Sequence, residues 1–125
     1  MVPKDLKYSE EHEWVQVDED VAVVGITDYA QRELGDIVFV ELPNVGEKIT
    51  QTEPFGTVEA VKAVSEIYAP VSGEIVEVNH GLDSTPQLIN QDPYGDGWLI
   101  KIRMSDHSEL NSLLSPQDYG ELIGE

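Results

Sequence analysis

The chain contains no cysteine among its 125 residues. Disulfides, thiolate zinc sites and a cysteine nucleophile are therefore excluded. Cations are also scarce: 7 Lys and Arg stand against 25 Asp and Glu, a formal net charge of −18. A field of that sign repels nucleic acid and anionic membrane, and it attracts basic protein surfaces. No apolar run approaches the roughly 18 residues that a spanning helix requires. Residues 1–5 open no apolar targeting segment, so a cytoplasmic protein is expected. The three histidines, His12, His80 and His107, are scattered and form no cluster with acids at ligand spacing, so no metal is expected. No nucleophile–base pair stands out either, which argues against an enzyme.

What is present points to one β-rich domain. A length of 125 residues with 40% apolar content is enough for a real core. Extended runs separated by Gly and Pro turns recur along the chain. In 14–18, Val15 and Val17 alternate with Trp14, Gln16 and Asp18. The run 21–26 is nearly all apolar and reads as a strand buried on both faces. Residues 28–35 have the marks of a short helix, with Asp28 as cap and Gly35 at the end. In 37–42, Val38, Val40 and Leu42 form one face. In 74–79, Val76 and Val78 point inward. The stretches 45–49 and 71–75 share a Gly-turn plan that hints at an internal quasi-repeat. Thr85-Pro86 predicts the start of one helical turn. The segment 98–104 reads as a strand with Trp98, Ile100 and Ile102 on its core face. Two helices are expected at the end: Asp106 and Glu109 form a capping box ahead of Leu110, Leu113 and Leu114. After Ser115-Pro116 come Tyr119, Leu122 and Ile123 at the same helical spacing.

Between 55 and 79 two extended runs flank one lysine. No Gly or Pro falls between Thr57 and Tyr68, and the chain breaks only at Pro70 and Gly73. This predicts a β-hairpin with Lys62 at its tip, exposed to another macromolecule. Only five lysines exist, Lys4, Lys7, Lys48, Lys62 and Lys101, so a modifying enzyme has few competing targets. Glu59 and Glu66 are close by in sequence and favour the charged amine. Lys62 is thus suited to be a substrate for modification, not a catalyst.

The tip sequence Val61-Lys62-Ala63, followed by Ala69-Pro70-Val71-Ser72-Gly73-Glu74, resembles the lipoyl-attachment site of the glycine cleavage system H proteins. The resemblance extends over nearly the whole chain. It includes His12-Glu13-Trp14-Val15, Val24-Gly25-Ile26-Thr27-Asp28-Tyr29-Ala30-Gln31 and the stretch from Leu34 to Pro43. Asp92-Pro93-Tyr94-Gly95 and Gly97-Trp98-Leu99-Ile100-Lys101-Ile102 complete it. Biotin carriers present Met-Lys-Met and dehydrogenase lipoyl domains favour Asp-Lys-Ala, so the Val-Lys-Ala tip separates this chain from both. Departures exist: Ala60 replaces a usual Ser, and Val64-Ser65-Glu66 stand where Ala or Thr and then Ser-Asp are common.

The resemblance implies a mostly β, lipoyl/biotinyl-type flattened barrel of two small antiparallel sheets with short peripheral helices. A single domain over 1–125 is expected, with a lipoyl-like core over about 20–104 and C-terminal helices over about 106–123. It implies lipoic acid in amide linkage to Lys62, attached by a lipoate-attaching enzyme. It further implies a non-catalytic carrier. The arm takes the aminomethyl group from glycine decarboxylase, a pyridoxal-phosphate enzyme, passes it to a tetrahydrofolate-dependent aminomethyltransferase, and is reoxidised by dihydrolipoamide dehydrogenase. Glu13 and Glu66 are the candidate carboxylates for a cleft that shelters the loaded arm, with His12 helping to shape it. Three other readings stand beside this one. They are a lipoyl carrier or lipoate relay for another pathway, a small carboxylate hydrolase, and an adaptor that binds through the Leu110-Leu113-Leu114 helix.

Overall fold

The computed structural model describes residues 2–125. Among these described residues nine strands and four α-helices follow one another in the order β1 (Lys7–Tyr8), β2 (Glu13–Asp18), β3 (Val21–Ile26), α1 (Asp28–Leu34), β4 (Ile37–Glu41), β5 (Lys48–Ile49), β6 (Pro54–Ala60), β7 (Val64–Tyr68), β8 (Gly73–Val78), α2 (Gly81–Ser84), α3 (Leu88–Gln91), β9 (Ile100–Met104) and α4 (Pro116–Ile123). A 3₁₀ helix, His107–Ser112, lies between β9 and α4. Two antiparallel sheets form, as expected, but they are unequal: six strands in the order β1-β2-β3-β9-β8-β5, and three in the order β4-β6-β7. The two quasi-repeat stretches lie against each other. Lys48 and Ile49 pair with Glu74 and Gly73, and Gly46 N and Ile75 N each donate across at 2.8 Å.

The main core lies between the sheets. Ala22, Val24, Ile37, Val58, Val71, Ile75, Ile100 and Ile102 are each fully buried in it. Apolar burial of this kind, about 25 cal/mol per Å², is the main favourable contribution to folding. A second, smaller cluster covers the outer face of the large sheet, where Trp14, Tyr8 and Tyr119 pack with Leu6. Trp14 explains the break in the alternation of β2. Its indole lies over Gly25 on the neighbouring strand and its Nε1 donates to Pro93 O at 2.9 Å. A Cβ on Gly25 would stand 2.6 Å from that Nε1, so the close approach requires glycine. Trp14 is therefore buried, while Val17, which by alternation shares a face with buried Val15, is exposed near the strand end.

Other expectations are corrected by local geometry. A bulge between Ile37 and Phe39 inserts Val38 as an extra residue. Ile37 and Val40 turn inward, and Val38 and Phe39 both face solvent. A second irregularity between Ile75 and Glu77 makes Ile75 and Val78 the buried pair, with Val76 only half-buried. Thr27 caps α1, accepting from Ala30 N at 3.2 Å, while Asp28 binds Gln31 and Arg32 from the first turn. Thr85 ends α2 instead of starting a helix at Pro86. Trp98 precedes its strand and packs against the second cluster, with Lys101 Nζ 5.0 Å from its ring centroid. Asp106 does cap the 3₁₀ helix, but Glu109 reaches away to Ser72 N at 2.7 Å. In α4, Ser115 caps and Tyr119 is buried as expected, whereas Leu122 is exposed.

Candidate functional site

β6 and β7 are joined by residues 61–63, and Lys62 stands at this tip. Ala60 N donates to Ala63 O at 2.7 Å, which closes the turn. Val61 N donates to Asp36 O at 3.0 Å, which ties the tip to the loop after α1. That loop is held in turn by Asn90. Its side chain accepts from Ile37 N and donates to Gln31 Oε1 and Gly35 O, each at 2.9 Å. Gly35 has φ +84°, and a Cβ there would lie 3.2 Å from Lys62 Cε. The stem of Lys62 thus passes a bare backbone on a fixed base. Its amine is exposed, and among the described residues no carboxylate is within ion-pair distance of it.

A groove in two adjoining parts runs along β7 from Val64. Its first part, about 480 Å³, is lined by Glu11, His12, Tyr29, Val64, Glu66 and Tyr68, among others. The second part, about 620 Å³, is lined by Ser9, Glu11, Glu13, Gln51, Tyr68 and Ser112, among others. Glu11 and Tyr68 belong to both. The four residue steps from Val64 to Tyr68 span roughly 13 Å.

Glu13 is the one carboxylate in the groove that is taken out of water, at 1% exposure. Burial pushes its pKa from the ordinary 4.5 up to about 7. The Ser9 hydroxyl, which donates to its Oε1, and Tyr68 N, which donates to its Oε2 at 3.2 Å, oppose that rise without cancelling it. Glu66 is exposed at the lip of the first part. His12 sits at φ +72°, with its Nδ1 2.9 Å from Tyr119 Oη and its ring centroid 4.9 Å from that of Tyr29. Burial lowers its pKa, so the neutral ring is favoured.

The fold thus brings His12 and Glu66 into one part of the groove and Glu13 into the next, while Lys62 lines neither part and stands two residues before Val64 on the hairpin. Sequence reasoning did not single out Ser9, Tyr68 or Gln51. Ser9 was within reach of such reasoning, being four residues before Glu13. Tyr68 N meets Glu13 only because β7 crosses the end of β2, which no local pattern reports. The residues fit an acylated lysine. The amine is open, apolar Ala30, Leu34 and Val64 line the start of the groove, and polar groups gather at its far end. Among the described residues no cluster of His, Cys, Asp or Glu is placed to hold a metal, and no helix is long and apolar enough to cross a membrane.

Two antiparallel sheets presenting a lone lysine on a braced hairpin define the lipoyl-type fold. The family model described as glycine cleavage H-protein matches residues 6–125. The chain is 58% identical to the glycine cleavage system H protein of Carboxydothermus hydrogenoformans, over 100% of this chain and 96% of that one. It is 56% identical to that of Staphylococcus epidermidis, over 99% and 98%. The crystal structure of a glycine cleavage system H protein from Mycobacterium marinum superposes with a TM-score of 0.92 at 40% identity, over 99% of this chain and 100% of that one. The chain belongs to the glycine cleavage H-protein family, a family of lipoyl carriers.

Proposed function

We propose that Lys62 bears lipoic acid in amide linkage and that the chain carries an aminomethyl group from glycine decarboxylase to the aminomethyltransferase. Dihydrolipoamide dehydrogenase then restores the arm. When bound, lipoate supplies the dithiolane that accepts the one-carbon unit and the redox change that goes with it. The observation that supports this reading is the isolated, exposed lysine on a braced hairpin, two residues from Val64, which lines a pocket that adjoins a second one holding a buried carboxyl. The protein's own contribution is effective concentration: a tethered cargo is handed between sites without dilution.

Glu13 gives the far end of the groove its chemistry. Near neutral pH it is poised between its acid and its carboxylate. A cationic amine entering the groove favours the carboxylate, and the proton leaves to solvent. Glu66 adds a solvated charge at the lip, and His12, held by Tyr119, supplies a neutral wall. Cargo docked there is shielded from water that would hydrolyse it.

Lys62→Arg is the direct test. Intact mass should show no lipoyl group on the variant, and a reconstituted system should form no glycine-derived methylene product. Product formation at the native rate would overturn the proposal. For Glu13→Ala, the loaded arm should be hydrolysed at least several-fold faster. An unchanged lifetime would remove Glu13 from the docking role.

A further inference from the structure

Residues 35–37 join the end of α1 to the start of β4, and one distant side chain holds them. A side-chain amide offers an acceptor and two donors at one point. In Asn90 all three are used: Oδ1 accepts from Ile37 N, and Nδ2 donates to Gly35 O and to Gln31 Oε1, each at 2.9 Å. Asn90 belongs to α3, and its neighbour Ile89 is fully buried in the main core, so the amide is presented from a fixed base. Between the two groups that Asn90 holds, Asp36 O is left for the hairpin and accepts from Val61 N at 3.0 Å. Lys62 lies over the same segment. A Cβ on Gly35 would stand 3.2 Å from its Cε and 3.8 Å from both Cδ and Nζ. The lysine stem therefore rests on the Gly35 backbone, whose φ of +84° suits glycine.

We infer that Asn90 is a positioning residue for Lys62. It fixes the backbone on which the lysine stem lies, and with it the direction in which an arm leaves the tip. The inference rests on the carrier reading and adds the residue that aims the arm. Direction matters because Lys62 lines neither part of the groove. An arm that leaves the tip toward Val64 follows the groove to Glu13, and an arm released in all directions spends less time there. Asn90 lines neither part of the groove either, so its effect on the cargo passes through Gly35 and Asp36. Alanine at position 90 takes the acceptor from Ile37 N, in a residue with no exposure. Aspartate keeps that acceptor but sets a carboxylate against two oxygens, Gly35 O and Gln31 Oε1.

The test uses the full-length protein in two measurements. In amide exchange, Asn90→Ala and Asn90→Asp should each speed the Val61 N–H about tenfold, the effect of one lost hydrogen bond on a local opening. With Lys62 lipoylated to completion and the arm loaded with the aminomethyl group, both variants should lose the cargo several-fold faster, well below their Tm. Ile102→Val, a core change far from the tip, lowers stability and should leave both readouts as in wild type. Gln31→Ala removes one of the three bonds and should move both readouts the same way by a smaller factor. It replaces the Asn90 variants if they do not fold. Unchanged Val61 exchange overturns the positioning role. Faster exchange with an unchanged cargo lifetime also overturns it and leaves Asn90 a structural brace. A lifetime shortened equally by Ile102→Val overturns it as general destabilisation; in each of these cases the carrier reading stands. If wild-type Lys62 takes no lipoyl group, the carrier reading falls, and the aiming of an arm falls with it.

Discussion

Glu13 couples the groove to stability. In the native state its carboxyl holds a proton up to about pH 7, whereas an ordinary glutamate releases it near 4.5. Between those values the folded chain binds more protons than the unfolded one. Stability therefore falls as pH rises through that window. At about 1.4 kcal/mol per unit the loss is roughly 3 kcal/mol. Glu13→Gln keeps the shape without the charge, so urea denaturation from about pH 5 to about pH 8 should show a flatter profile for the variant. Equal slopes for the two proteins would mean that another group carries the dependence.

Helix α4 is a clamp more than a decoration. Tyr119 stacks on Tyr8 with ring centroids 4.5 Å apart, and its hydroxyl is 2.7 Å from Thr27 Oγ1 and 2.9 Å from His12 Nδ1. One hydroxyl thus links the last helix to the cap of α1 and to the groove wall. Main-chain bonds between Tyr8 and Leu114 run beside it. Tyr119→Phe keeps the stack but leaves buried Thr27 and half-buried His12 short of a bond, so a loss of about 1–2 kcal/mol is expected in chemical denaturation. A loss below about 0.3 kcal/mol would mean that water replaces the hydroxyl. Sequence patterns located this helix well, since Ser115, Pro116 and the apolar spacing of Tyr119 and Ile123 are local signals. The bulges at Val38 and near Val76 were not legible. A bulge depends on the pairing partner, and a single added residue moves the side chains beyond it to the other face.

Net charge acts on the protein as one body. Eighteen uncompensated negative charges repel one another in the compact state. Raising salt from about 10 mM to about 150 mM shortens the screening length from about 30 Å to about 8 Å. Folded stability should gain on the order of 1 kcal/mol, visible as a rise of roughly 3–5 °C in Tm by circular dichroism. A falling Tm would show that specific ion pairs outweigh the general repulsion. The same salt should slow association with basic partners.

The order of strands and turns, the exposure of Lys62 and the absence of cysteine chemistry were readable from composition, periodicity and turn residues, because each is set by interactions within a few positions of the chain. The depth of Glu13 and its contact with Tyr68 N were not. Each depends on which strands lie side by side and in what register. That is settled when distant apolar faces close over a shared core, and no local stretch of the chain contains that information.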